Sequence, residues 1–145
     1  MKLLPRKWVR RVLALVALAV AGWLGSSFTV AWKLTHRAEP IEPEPLPAVA
    51  WGTPEEVRLP TSDGETLGAW FFPGKSDRVA VVLLHGNGER RTLCLPQAEL
   101  LARDGHPVIS VTVRAHGDST GTRNDIGYSA RHDAVAAVGW LHGRL

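Results

Sequence analysis

Two short stretches gather the residue types that do chemistry. The first is His85-Gly86-Asn87-Gly88, which ends the apolar run Val79–Leu84 just before Arg90-Arg91. The second runs from Arg114 to Gly121, with Arg114, His116, Asp118 and Ser119 inside six residues. A nucleophilic triad needs serine, base and acid to converge from separate supports at hydrogen-bond distance. Four such residues on one turn lack those supports, so the second stretch reads as structural. Glycines at 86 and 88 let the first stretch bend sharply and let another group approach its backbone. His85 reads as a packed, hydrogen-bonded histidine, and Arg90 and Arg91 as solvated surface charge. His106, His132 and His142 share no metal-ligand spacing. The single cysteine, Cys94, excludes an internal disulfide and a cysteine-rich zinc site. No metal and no cofactor is expected.

The elements that must position these stretches follow from pattern. Val57–Leu59 and Thr66–Phe72 are β-rich and flank the turn signal Asp63-Gly64, which predicts a hairpin. Val79–Leu84 is apolar on both faces, the mark of a parallel strand covered by helices. A helix is expected over Leu95–Arg103, with Pro96 in its first turn and Gly105 ending it. Pro107–Val113 is a second uncharged, β-branched run. Ala134, Val135, Val138 and Leu141 then recur at helical spacing, with Ser129 as N-cap and Gly143 as terminator. Asp133, in the first turn, suits the helix dipole. A hairpin followed by β, α, β, α predicts an α/β fold with a parallel sheet.

Charge divides the chain unevenly. Residues up to Arg37 hold seven of the seventeen Lys and Arg and no acid, which leaves ten bases against fourteen acids in the rest. The folded part is therefore mildly acidic, which argues against a nucleic-acid-binding surface. Val12–Trp32 is a 21-residue stretch without a charge, and a helix that long spans a hydrocarbon core of about 30 Å. Five bases precede it (Lys2, Arg6, Lys7, Arg10, Arg11), and tryptophans stand near its ends. The layout predicts a bilayer anchor over residues 1–34, with the N-terminus in the cytoplasm and the domain exported. The competing reading is a cleaved signal peptide and a secreted domain, and a buried helix of a soluble protein is the third. Residues 35–56, with prolines at 40, 43, 45, 47 and 54, are expected to be an extended spacer or a disordered linker.

Residues 57–145 resemble the N-terminal half of an α/β-hydrolase domain. The likeness rests on the Asp63-Gly64 hairpin, the strand ending LLHGNG, the segment LARDGHPVISV, and RAHGDSTG ahead of YSARHDAVAAVGWL. In that family the loop after the third strand supplies one side of an oxyanion hole. Backbone N–H groups there stabilise the charge that develops on a carbonyl oxygen under attack, each worth about 3 kcal/mol. The resemblance assigns this donor to the backbone amide of Asn87, on a loop supported by His85, Gly86 and Gly88. It also equates Arg114–Ser119 with a family turn of the form Asp-x-Arg-Gly-His-Gly-x-Ser, from which Thr112 and Ala115 depart.

The family carries its nucleophile in a Gly-x-Ser-x-Gly elbow, and no such pentapeptide is expected in this chain. The acid and catalytic histidine are likewise assigned to none of its residues, and the elbow is expected shortly after Leu145. Without a fifth strand, Val79–Leu84 becomes an exposed apolar edge. Two expectations follow. The chain is the N-terminal fragment of a membrane-anchored serine hydrolase for ester, thioester or amide substrates, inactive and poorly folded by itself. Alternatively it is a noncatalytic, membrane-tethered half-domain that completes its sheet with a partner chain.

Overall fold

The computed structural model describes residues 5–75 and 77–145. Lys2 of the basic N-terminus lies outside the described residues. The chain divides into two compact units, Met1–Leu34 and Thr35–Leu145. The first is carried by helix α1, Arg6–Thr35. No residue of α1 is buried, and its most apolar 18-residue window has a mean hydropathy of 1.9. By length and composition it can cross a membrane, a property that signal sequences share.

The second unit opens with a hairpin of β1 (Glu55–Pro60) and β2 (Thr66–Phe72). Its turn follows the local chemistry. Gly64 takes φ +97°, the Thr61 hydroxyl donates to Asp63 Oδ1 at 2.6 Å, and the Thr61 amide donates to the Glu65 carbonyl at 2.8 Å. β3 (Val81–Leu84), α2 (Leu95–Arg103), β4 (Val108–Val111) and α3 (Ala130–Arg144) complete the order, with a short 3-10 turn at Arg91–Cys94. The sheet runs β1-β2-β4-β3. It is mixed: the hairpin pair β1–β2 is antiparallel and β3–β4 parallel as expected, and β2 joins the two by pairing antiparallel with β4.

Alternation along β2 builds both cores. Leu67, Ala69 and Phe71 face one side with Ile109, Val111 and α3 residues Ala137 and Leu141. Trp70 and Phe72 face the other, against Val108 and α2 residues Ala98 and Leu101. Each fully buried side chain of this size contributes about 1.5–3 kcal/mol. Helix α2 closes as its sequence predicts. Gly105, at φ +89°, donates to the Ala102 carbonyl, and the His106 amide donates to the Leu101 carbonyl, the paired bonds of a glycine-terminated helix.

As expected without a fifth strand, the run from Val79 forms an edge: β3 begins at Val81 and pairs with β4 alone among the described residues. Other expectations are corrected. Helix α3 turns a different face inward. Asp133, Ala137 and Leu141 are buried, whereas Val135 and Val138 are 65% and 52% exposed. Ser129 stands at the N-cap position of α3 as expected, but with helical backbone and no capping bond from its side chain; its hydroxyl donates to Asp125 Oδ2 instead. Gly143 lies within the helix. The proline-rich stretch belongs to the compact unit rather than standing apart as a spacer. Val49 and Trp51 pack on the Trp70 and Phe72 core, and the Trp51 ring meets Phe72 at 4.7 Å. Glu44 is buried. Residues 35–54 thus form a strap across the sheet, because their apolar and charged side chains find partners that composition does not reveal.

Candidate active-site loop and its supports

At the end of β3 the chain turns through His85-Gly86-Asn87-Gly88 in one tight bend, with the Glu89 amide donating to the Gly86 carbonyl at 3.3 Å. Gly88 takes φ +81°, a conformation that a Cβ would strain. A Cβ at Gly86 or Gly88 would meet nothing within 4 Å. At both glycines, then, there is room for an incoming group. Asn87 is exposed, and its Oδ1 accepts from Asn124 Nδ2 at 2.9 Å. Asn124 is itself buried, and its Oδ1 accepts from the Ile126 amide at 3.1 Å.

His85 is packed and bonded at both ring nitrogens. Its Nδ1 meets the Gly86 carbonyl at 2.7 Å, and its Nε2 accepts from the Val113 amide at 3.0 Å. Burial pushes its pKa below the usual imidazole value, and the nearby His116 and Arg91 push the same way. The ring therefore stays neutral and holds the loop to the end of β4.

The second stretch is a support, and its charges are spent on structure. Arg114 donates its backbone amide and side-chain Nε and Nη2 to Asp133 at 2.7–2.9 Å, and its two Nη groups to Asp63 at 2.6 and 3.0 Å. The Arg114 guanidinium holds the Asp63 carboxyl well below the usual carboxylate range, and the same bonds raise the Arg114 pKa. Asp133 is fully buried, so its role is to anchor this arginine and not merely to suit the helix dipole. Asp118 takes a bidentate pair from Arg91 at 2.6 and 2.9 Å and a further contact from Arg58.

Arg91 is the larger correction. It is 0% exposed, stacked 4.5 Å over the Trp70 ring, and donates to the Glu44 carbonyl. Arg90 points out and pairs with Glu39 and Glu42 of the strap. The alternation of side chains around one bend separates these two neighbours.

The expectation that the chain holds no Gly-x-Ser-x-Gly is corrected: Gly117-Asp118-Ser119-Thr120-Gly121 fits the pattern. A nucleophile elbow presents its serine at an exposed strand-to-helix turn. Ser119 is instead 0% exposed. Its hydroxyl donates to the Thr112 carbonyl and accepts from the Gly68 amide, and α3 begins only at Ala130. The serine closes the turn and has no open face for a substrate.

The two departures from the family turn also have structural counterparts. Ala115 adopts φ +62° where the family form has glycine, a left-handed conformation that costs a side-chain-bearing residue about 1–2 kcal/mol. Thr112, where that form has an acid, donates to Glu44 Oε1 at 2.9 Å. The missing acid was the one signal that another carboxylate had to sit beside Arg91. Nothing in the sequence distinguished His116 or Asn124 as contacts of the loop. Among the described residues no group of three or more His, Cys, Asp or Glu is placed to hold a metal ion.

No protein-family model matches the chain. Two uncharacterized proteins of Mycobacterium tuberculosis strains are 31% and 30% identical to it, each covering 92% of this chain. The chain spans about half the length of these curated relatives, 47% in each case. Among solved structures, an esterase of Pyrococcus furiosus superposes with a TM-score of 0.62 and 26% identity over 71% of this chain and 42% of its own. The α/β hydrolase GrgF from a Penicillium species gives 0.53 and 29% over 61% and 32%. With a mixed sheet packed between helices and these hydrolases as its neighbours, the chain has an α/β-hydrolase-like fold, matched over part of its length.

Proposed function

We propose that this chain is the N-terminal portion of a membrane-anchored serine hydrolase that acts on ester, thioester or amide bonds, and that the Asn87 backbone amide is one donor of its oxyanion hole. The observation that carries the reading is the loop itself. It follows a parallel strand of a hydrolase-like sheet, it bends at Gly88 with positive φ, and it leaves room at both glycines. His85 and Asn124 fix it from behind. The nucleophile is assigned to no residue between 1 and 145, since Ser119 is sealed in the turn, and these residues alone are not expected to turn substrate over. The anchor is α1, with its N-terminus cytoplasmic and the domain exported; a secreted domain after signal cleavage is the competing outcome. Extraction of membranes at alkaline pH separates the two, because only an anchored chain stays in the pellet.

The test of activity uses the complete protein that contains this chain. It is expected to hydrolyse p-nitrophenyl butyrate and to react with a fluorophosphonate at a serine other than Ser119. Replacing Asn87 by proline, which has no N–H, should lower kcat about 100-fold, while Asn87→Ala, which keeps the amide, should cost less than tenfold. Equal losses in the two variants would show that the side chain, not the amide, matters.

A second reading has its own observation. The edge of β3 and the exposed face of α3 leave an apolar groove of about 300 Å³ lined by Ala80, Val82, Val138 and Leu141. A noncatalytic half-domain that pairs this edge with a partner chain would use the same surface. Co-purification of a strand-donating chain with no reactive serine in the complex favours it.

A further inference from the structure

The loop and the turn are clipped together by two imidazoles, of which the catalytic reading uses only His85. His116 Nδ1 lies 2.8 Å from the Arg114 carbonyl, and its Nε2 lies 3.0 Å from the Gly88 amide. A carbonyl only accepts and a backbone amide only donates. The tautomer is thereby fixed: Nδ1 carries the proton, Nε2 carries the lone pair, and the ring is neutral. His85 obeys the same logic, donating to Gly86 within the loop and accepting from Val113 beyond β4. The two rings meet edge to face at 5.1 Å. One ring thus binds a carbonyl at the start of the bend, the other binds the amide at Gly88, and Asn87 lies between them.

We propose that His116 is a positioning residue of the active-site loop, acting by accepting the Gly88 N–H so that the Asn87 amide is held in one direction. The inference rests on the reading of Asn87 as an oxyanion donor. Geometry is its basis. The Asn87 N–H shares its peptide plane with the Gly86 carbonyl, which His85 holds. The Gly88 N–H, donated to His116, fixes the following peptide plane, so that the Asn87 residue is restrained on both sides. Gly88, at φ +81°, has no Cβ to restrict the bend, and the Glu89 N–H bond to the Gly86 carbonyl that closes it from within is long, at 3.3 Å, so a further restraint from outside the loop matters. His116 supplies it from the rigid turn, whose own backbone is fixed by the Arg114–Asp133 and Arg91–Asp118 pairs. The turn is therefore connected to the loop through these two rings, His116 at Gly88 and His85 at Val113.

The experiment compares His116→Ala with His116→Gln in the complete protein. A glutamine side-chain oxygen can reach the position of Nε2 and accept the same bond; alanine cannot. The alanine variant is expected to lose about tenfold in kcat toward p-nitrophenyl butyrate with KM changed less than about twofold, a partial version of losing one donor outright. Glutamine should recover most of that loss. In parallel, the Gly88 amide should exchange with solvent slowly in the parent and the glutamine variant and quickly in the alanine variant. A loss that glutamine does not recover, or a Gly88 amide equally protected in all three, would overturn the proposal. A protein that hydrolyses no ester but whose Gly88 protection still depends on residue 116 would overturn the hydrolase reading and leave the clip standing.

Discussion

The turn at 112–121 and the loop at 85–89 lie side by side, joined by His116, and they are held in opposite ways. In the turn nearly every charged group is buried and paired: Arg114 with Asp63 and Asp133, Asp118 with Arg91 and Arg58. In the loop the backbone from Gly86 to Glu89 is exposed, and its restraints are single hydrogen bonds from His85, His116 and Asn124. The contrast separates support from site. A fully satisfied buried network makes a stiff base, whereas an exposed, glycine-shaped bend is open to approach by a second molecule. The richest cluster of reactive residue types in the sequence is thus the part whose charged groups are already paired with one another.

The sharpest way to break that contrast is to empty the turn of its central cation. Arg91→Met keeps the volume and the stack on Trp70 but leaves Asp118 and Glu44 buried with a lost partner. Removing one member of a buried pair costs about 3–5 kcal/mol, so the denaturant midpoint of the solubilised chain should fall steeply. A variant within 1 kcal/mol of the parent would mean that water reaches these carboxylates. Replacing Gly68 by alanine attacks the same spot from the sheet, because its Cβ would stand 2.1 Å from Asp118 Oδ1.

A smaller effect tests where the turn obtains its second carboxylate. Glu44 Oε1 accepts from Thr112, while Glu44 Oε2 faces Arg91 Nε at 3.7 Å without a hydrogen bond. Glu44→Ala should cost about 2 kcal/mol, the scale of a hydrogen bond to a charged group. Thr112→Asp in the parent should destabilise, since it brings two carboxylates together. In the Glu44→Ala background the same change should stabilise, since Thr112 Oγ1 already lies 3.3 Å from Arg91 Nη1. A reversal of sign in a double-mutant cycle is the expected readout.

Acid should undo the two regions in sequence. The His85 pKa is lowered in the fold, so the folded state binds fewer protons than the unfolded one. Its contribution to stability is fully present above the ordinary imidazole value of about 6.5 and is lost as pH falls below it. Asp63 is also lowered, by Arg114, so its contribution holds above the ordinary carboxylate value of about 3.9 and is lost only below that. Amide exchange followed from pH 7 downward should therefore show the Val113 amide losing protection before those of the hairpin turn at Thr61–Glu65. Simultaneous loss would show that loop and turn open as one unit.

How much of this was legible in the sequence depends on the range of the interactions. The hairpin, helix α2 and its glycine stop were readable because each is specified within a few residues: Asp63-Gly64 for the turn, Gly105 for the cap. Helix α3 was placed, and Leu141 is buried as expected, but Val135 and Val138 face out, because they satisfy helical spacing as well as Asp133 and Ala137 do. Which set goes inside was decided by Asp133, drawn inward by Arg114 from nineteen residues away. The strap was misread for the same reason. Its prolines describe a local conformation, while Glu44 and Trp51 act on partners far along the chain. Asn87 and its glycines were legible as a loop, and Asn124 and His116 were not, since their bonds to it span 37 and 28 residues.

The smallest expected effect sets two adjacent residues against each other. Arg90 and Arg91 are identical in type, and composition gives no ground for treating them differently. Arg90 reaches Glu39 at 2.5 Å and Glu42 at 3.4 Å, yet both acids are more than half exposed, so water and salt screen the pair. Arg90→Ala should change stability by about 0.5 kcal/mol or less, and added salt should erase what difference there is. Its neighbour's substitution should be several times larger and nearly indifferent to salt. If Arg90→Ala instead approached the cost of Arg91→Met, the strap would be held by its surface acids rather than by the burial of Glu44, and the division between a satisfied interior and a lightly held exterior would have to be redrawn at residues 39–42.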